Sequence, residues 1–206
     1  MNDNQQIDII TKWLGSGSIN IFGLPFAGKD EQAKRFANTF SGVTLSGGEI
    51  LRSSITPEIQ SFFDAGELIP SDLYVEVVLP YLSKTEFMNK PLILSSVGRW
   101  HGEEDGVIKA LKEANHELKA VIFLNISHGD AVKRLNASKS IGDRVGRTDD
   151  NEELLDTRFK EFEAKTSSVI DYYRGLNLLI EIDGSKSREE VQADILDALA
   201  TKAQNS

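Results

Sequence analysis

A three-layer α/β fold, a parallel sheet of about five strands with helices on both faces, is predicted by three features of this 206-residue sequence. Apolar runs of strand length recur along it. Between them lie segments whose apolar residues fall three and four apart, and a glycine-rich turn joins the first run to a helical pattern. Strands that alternate with helices pair in parallel and are buried on both faces, which is why the runs are apolar throughout.

The elements follow in order. Ile19-Asn20-Ile21-Phe22 reads as the first strand, and a helical pattern from Gln32 to Phe40 follows it. Thr56-Pro57 places a cap before a proline at the first helical position, and Ser71-Asp72 opens the next helix. Leu92-Ile93-Leu94 is a strand, Val107, Leu111 and Ala114 mark a helix, and Ala120-Val121-Ile122-Phe123-Leu124 is a strand again. Ala131, Val132 and Leu135 mark a further helix, and Leu178-Leu179-Ile180-Glu181-Ile182 is the last strand. Ser187 with Glu190 makes a capping box for the final helix. No internal repeat, low-complexity tract or long linker interrupts the series. The glycine-containing, charge-dense stretch from Ser138 to Asp150 stands apart as a candidate lid.

Composition narrows the functional classes. The 40% apolar and 27% charged fractions suit one well-filled globular domain. No window approaches the roughly 18 consecutive apolar residues of a membrane helix. Met1 to Gln6 lack the cationic and apolar regions of a signal peptide, so a cytoplasmic protein without a membrane partner is expected. With no cysteine and three scattered histidines, disulfides, thiolate metal sites and a structural zinc are not expected. A net charge of -9 argues against a broad nucleic-acid surface. Any phosphate site must therefore be local.

Such a site is legible. The first strand runs into Gly23-Leu24-Pro25-Phe26-Ala27-Gly28-Lys29, with Asp30, Glu31 and Gln32 opening the helix beyond. Successive backbone N–H groups can wrap phosphate oxygens where no Cβ interferes, and the helix start adds favourable partial charge. Lys29 supplies a cation for the β and γ phosphates. Asp30-Glu31 stand where such loops carry the hydroxyl that helps hold Mg²⁺. Because two carboxylates beside a triphosphate repel it unless a metal or arginines intervene, they are read as a changed Mg²⁺ shell.

Gly-Leu-Pro-Phe-Ala-Gly-Lys-Asp-Glu-Gln resembles the adenylate kinase loop Gly-x-Pro-Gly-x-Gly-Lys-Gly-Thr-Gln, and further segments agree in order. Ser46-Gly47-Gly48-Glu49-Ile50-Leu51-Arg52 is similar to that family's Ser-Thr-Gly-Asp-Met-Leu-Arg, and Gly66-Glu67-Leu68-Ile69-Pro70-Ser71-Asp72 to Gly-Lys-Leu-Val-Thr-Asp. Leu94-Ser95-Ser96-Val97-Gly98-Arg99 takes the place of Leu-Asp-Gly-Phe-Pro-Arg, with the arginine unchanged. Gly146-Arg147-Thr148-Asp149-Asp150, with Arg158 eleven residues after Arg147, resembles Gly-Arg-x-Asp-Asp and its spaced second arginine. Tyr172-Tyr173 and Asp183-Gly184-Ser185-Lys186 extend the likeness to residues 17–200 or so.

The resemblance implies a P-loop NTPase fold in one domain, 1–206. Its core would be 1–44, 75–137 and 151–206, its helical monophosphate lobe 45–74 and its short lid 138–150. It implies a phosphotransferase of nucleotide biosynthesis, a monomer with Mg²⁺ and two nucleotides as its partners, which moves the ATP γ-phosphoryl group to a nucleoside monophosphate, AMP first. The implied catalytic groups are Lys29, Arg99, Arg134, Arg147 and Arg158. ATP would meet Gly23, Pro25, Phe26, Ala27, Gly28, Lys29, Asp30, Glu31, Gln32, Arg134 and Lys186. The monophosphate would meet Gly47, Arg52, Glu67, Leu68, Ile69, Ser96, Gly98, Arg99, Glu103, Arg147 and Arg158. Arginine suits these roles because its rigid fork fits phosphate oxygens and stays charged. The family's arginine four residues past Arg134 is Ser138 here, and Arg144 is a candidate substitute.

Two alternatives stay open at this point. Ser95 and Glu31 replace residues that support the metal in the family, so a nucleotide-binding protein with the kinase fold and weak turnover is one; a kinase for a small metabolite is a weaker one. Gly47 and Glu103 stand where the family reads adenine with threonine and glutamine. An ionised glutamate only accepts hydrogen bonds and would suit the two donors on guanine's edge, which makes GMP the alternative acceptor. Lys29 is expected to be exposed.

Overall fold

The structure is a computed structural model and describes residues 2–141 and 152–206. Helix α1 (Asp3–Leu14) precedes strand β1 (Ser18–Gly23), the phosphate-loop turn and helix α2 (Lys29–Phe40). Strand β2 (Val43–Ser46) then leads into helices α3 (Gly47–Ser53), α4 (Pro57–Ala65) and α5 (Ser71–Val78). Strand β3 (Leu92–Ser95), helix α6 (Glu104–Glu113), strand β4 (Leu118–Asn125) and helix α7 (His128–Ile141) follow. Helix α8 (Glu152–Glu161) continues through a π-helical turn, Phe162–Thr166, into helix α9 (Ser167–Gly175). Strand β5 (Leu179–Asp183) and helix α10 (Arg188–Gln204) end the chain.

All strand pairs are parallel, in the order β2-β3-β1-β4-β5. This is the five-stranded P-loop NTPase arrangement the sequence predicts. Strand β1 is central, so the loop that leaves it emerges in the crevice at the carboxyl ends of the strands. Side chains alternate across the sheet. Ile19, Ile21, Ile93, Ala120, Ile122 and Leu124 pack on one face with α1, α2 and α10. Phe22, Leu92, Leu94, Leu118 and Val121 pack on the other with α3 to α6 and α9. Both faces are covered, which accounts for strands that are apolar at nearly every position.

The local signals hold. Thr56 Oγ1 accepts from the Ile59 N–H at 3.2 Å ahead of Pro57, and Ser187 and Glu190 form their reciprocal box. Ser71 is the first helical residue of α5 rather than its cap, a place taken by Pro70. Strand β2 was not among the runs read from the sequence, because Val43-Thr44-Leu45-Ser46 is short and partly polar, as an edge strand permits. Helix α7 continues to Ile141, three residues past the expected start of the lid at Ser138. The rest of that segment, with Arg144 and Arg147, lies outside the described residues.

Candidate active site

The phosphate loop is held open by its own backbone. Gly28, with φ +93°, is the N-cap of α2, a conformation that costs glycine nothing. Phe26 is held at φ +65° and Ser96, beyond β3, at φ +51°. Both occupy positions where the resembling loops carry glycine, and each costs about 1–2 kcal/mol in left-handed backbone. Such strain persists where the surroundings over-determine it. The Phe26 ring packs on the core, and its carbonyl accepts from Arg134 Nη1 at 3.2 Å.

Two clefts open on this loop. The first is lined by Arg52, Arg99 and Arg158 together with the 66–69 segment and Tyr74. The second is lined by Ala27 and Gly28 of the loop, by Arg134 and by the 184–188 turn. Phe26, Lys29 and Asp30 line both, so they stand at the junction.

Lys29 is half-buried rather than exposed, and its Nζ donates to the Leu24 carbonyl at 2.8 Å. The loop thus fixes the ammonium over its own concavity. Asp30 and Glu31, adjacent in sequence, diverge in space. Asp30 Oδ1 accepts from the Ser95 hydroxyl at 2.6 Å, which places a carboxylate beside the strand end that lacks one. Glu31 turns to Arg35 at 2.9 Å, and Arg35 also reaches Glu189 and Gln192 on α10 at 2.9 Å each. Glu31 therefore steadies Arg35, which braces α2 against α10, although it also lines the second cleft.

Gln32 is 2% exposed and donates from Nε2 to the Arg188 carbonyl at 2.9 Å, while its Oε1 has no partner among the described residues. Arg134 spans the second cleft. Its guanidinium donates to the carbonyls of Phe26 and Ala27 on one side and of Gly184, at 2.6 Å, and Lys186 on the other. It bridges the two walls through backbone rather than standing free over the loop. Lys186 is paired with Asp194 at 2.6 Å.

In the first cleft, Gly47 has a steric reason. A Cβ there would lie 2.7 Å from the Tyr74 hydroxyl and 2.9 Å from the Ser96 carbonyl oxygen. The same Tyr74 hydroxyl accepts from the Gly98 N–H at 3.0 Å, and burial pushes its pKa well up. Arg52 stacks over Phe63, its guanidinium carbon 4.8 Å from the ring centroid. Glu67, Leu68 and Ile69 line the cleft; Gly23, Ser96 and Gly98 shape its surroundings without lining either space.

Glu103, expected to meet the monophosphate, lies under its own loop in this structure. It is 3% exposed, does not line the cleft, and its Oε2 accepts from the N–H groups of Arg99 at 2.7 Å and Trp100 at 3.0 Å. The carboxylate is turned inward because these two amides start the loop that ends in α6.

Sequence reading missed several cleft residues. Trp100 Nε1 donates to the Ile69 carbonyl at 2.8 Å, and the Lys165 ammonium lies 4.1 Å from the Trp100 ring centroid. Glu161 accepts from the Leu68 N–H at 2.9 Å and pairs with Lys165. Thr166 Oγ1 donates to the Arg99 carbonyl at 3.2 Å. Apart from the i,i+4 pair of Glu161 and Lys165, these contacts join segments dozens of residues apart, and no local spacing signals them. Among the described residues no group of three or more His, Asp or Glu could hold a metal ion by itself.

Comparison with known proteins agrees with this architecture. A family model described as adenylate kinase matches residues 21–177. Among similar curated proteins are the adenylate kinase of Prochlorococcus marinus (strain MIT 9515), 32% identical over 184 residues that cover 86% of this chain and 96% of that one. That of Leptospira biflexa serovar Patoc is 31% identical over 183 residues, covering 86% and 96%. That of Methanocella arvoryzae is 28% identical over 209 residues, covering 87% and 96%. The chain belongs to the adenylate kinase family and is a phosphotransferase of the nucleoside monophosphate kinase kind.

Proposed function

We propose that the chain phosphorylates AMP from ATP, with ATP in the cleft between the phosphate loop and the 184–188 turn and AMP in the cleft of the three arginines. The observation that carries this reading is the junction, where Lys29 and Asp30 border both spaces. A phosphoryl group that passes between the clefts must cross it. The relatives are named adenylate kinases, which favours AMP. GMP rested on Glu103, whose Oε2 is committed to backbone amides.

Lys29 steadies the β and γ phosphates, and the loop amides with the start of α2 neutralise the donor. Arg52 and Arg99 grip the acceptor phosphate. Arg158 offsets charge on the group in transit, a role also expected of Arg147, which lies outside the described residues. Arg134 and Lys186 form the far wall of the donor cleft. The lobe 45–74 carries the acceptor wall and the described remainder is the core, while the expected lid lies, beyond Ile141, outside the described residues.

Mg²⁺ fits the residues present if it is held mainly by phosphates and water, as that ion prefers. Asp30 is the protein oxygen suited to its shell, oriented by the Ser95 hydroxyl. The ion, when bound, draws charge from the phosphate oxygens. Glu31 serves as the brace to Arg35. A monomer in the cytoplasm is the accompanying reading.

The test is a coupled assay with ATP, Mg²⁺ and AMP, GMP, CMP or UMP. The highest kcat/KM with AMP is expected. Preference for GMP would refute the acceptor assignment, and ATP hydrolysis without phosphoryl transfer to any of the four would refute the reaction.

A further inference from the structure

The loop that carries Arg99 is tied from beneath in a way the transfer itself does not require. Glu103 and Glu104 are the buried carboxylates among the described residues, at 3% and 2% exposure. Both hydrogen-bond this loop, Glu103 through Oε2 alone, its buried Oε1 having no hydrogen-bond partner among the described residues. Glu103 Oε2 takes the amides of Arg99 and Trp100 at 2.7 and 3.0 Å. Glu104 Oε2 takes the Gly102 amide at 2.5 Å, and its Oε1 faces His101 Nδ1 at 3.2 Å. Neither forms an ion pair with a lysine or arginine among the described residues.

A buried carboxylate without a cation is costly, and it is tolerated where several donors converge on it. Here the donors are the N–H groups of the loop. Burial pushes the Glu103 carboxyl above the usual carboxylate range, while the Trp100 amide, the Ser71 hydroxyl and the Arg99 amide favour its charged form. The two amides held by one oxygen belong to the residues that matter on the cleft side. Arg99 lines the space, and Trp100 reaches across to the Ile69 carbonyl of the opposite wall at 2.8 Å.

We propose that Glu103 is the positioning residue of the acceptor cleft: by gripping the amides of Arg99 and Trp100 together, it sets the arginine against the monophosphate and the indole against the 66–69 wall. This rests on the reading of that cleft as the acceptor site. It assigns the glutamate to loop geometry and leaves reading of the base to other groups.

The experiment compares Glu103→Gln, which keeps an acceptor oxygen at the same reach, with Glu103→Leu, which keeps volume and loses the oxygen. KM for AMP and for ATP, the AMP-to-GMP ratio of kcat/KM, and hydrogen exchange at the amides of Arg99 and Trp100 are measured for each. Glu103→Leu should raise KM for AMP about tenfold or more with KM for ATP within about twofold, and both amides should lose protection. Glu103→Gln should stay within about threefold of the wild type on every reading, and the AMP-to-GMP ratio should not move in either variant. Equal loss toward both nucleotides, or unchanged amide protection in Glu103→Leu, would overturn the proposal. A switch toward another base in Glu103→Gln would overturn it too. If Glu103→Leu does not fold, Glu103→Asp, one methylene short of the amides, should still raise KM for AMP selectively, and its failure to do so counts against the proposal. Should the wild type use no monophosphate, the acceptor reading falls, and the exchange measurement still judges the grip on the loop.

Discussion

The two clefts proposed for donor and acceptor meet at Lys29 but are held by opposite means. Around the donor cleft the braces are cations on or near the surface. Arg134 bridges carbonyls of the two walls, and Arg35 ties α2 to Glu189 and Gln192 of α10. Around the acceptor cleft the braces are acceptors turned inward: the buried Glu103 and Glu104 under the 98–102 loop, the buried Tyr74 hydroxyl on Gly98, and the part-buried Glu161 on Leu68. A triphosphate brings its own negative charge, so carboxylates beside it must be shielded or turned away, as Glu31 is. The acceptor's arginines need a rigid backbone to project from, and buried carboxylates supply it without adding positive charge that would compete for the phosphate.

The contrast can be broken most sharply at the junction. Lys29→Ala should lower kcat by about 10² to 10³ while the melting temperature holds, since the side chain contributes a phosphate contact rather than core packing. Near-normal turnover would remove the loop from the donor role. Arg99→Ala comes next: KM for AMP should rise about tenfold to a hundredfold with KM for ATP unchanged, the cost of a charged hydrogen bond on one side of the junction. A shift in both constants would mean that the clefts are not separate sites.

The two carboxylates sharpen the donor side. Asp30→Asn should lower kcat by about tenfold and raise the Mg²⁺ concentration needed for half activity. Glu31→Gln should stay within about twofold, because a part-exposed ion pair contributes little. The reverse order, read from Mg²⁺ titrations of both variants, would assign the metal to Glu31.

The smallest effect concerns pH. Burial raises the Glu103 carboxyl in the folded state, so folding favours its protonated form. That contribution to stability is full below the unfolded value of about 4.3 and is lost as pH rises through the folded value. Glu103→Gln cannot ionise and escapes the loss. Its melting temperature relative to the wild type should therefore climb between about pH 4 and pH 7. A difference that stays flat with pH would mean that burial does not govern this carboxyl.

The donor side was legible in the sequence because backbone does its chemistry. A strand, glycines at fixed spacing, a lysine and a helix start are all local, and so were four of the five strands. The edge strand Val43–Ser46 escaped notice because four partly polar residues set up no period. On the acceptor side the arginines were legible through resemblance, and Arg52, Arg99 and Arg158 do share one cleft. Glu103 was not, since a carboxylate four residues beyond Arg99 can face the cleft or fold under its own loop with the same spacing. The choice is made by burial and by amides that need an acceptor, and both are tertiary facts. Trp100 and Glu161 belong with it, their partners lying at Ile69 and Leu68.

The central claim, that two nucleotides sit at once with their phosphates meeting over Lys29 and Asp30, is tested most directly by one molecule that spans both clefts. Calorimetry with two adenosines joined by five phosphates should show one ligand per chain, bound at least about a hundredfold more tightly than ATP, as linked occupation of two sites requires. Two ligands per chain, or affinity no better than that of ATP, would contradict the account.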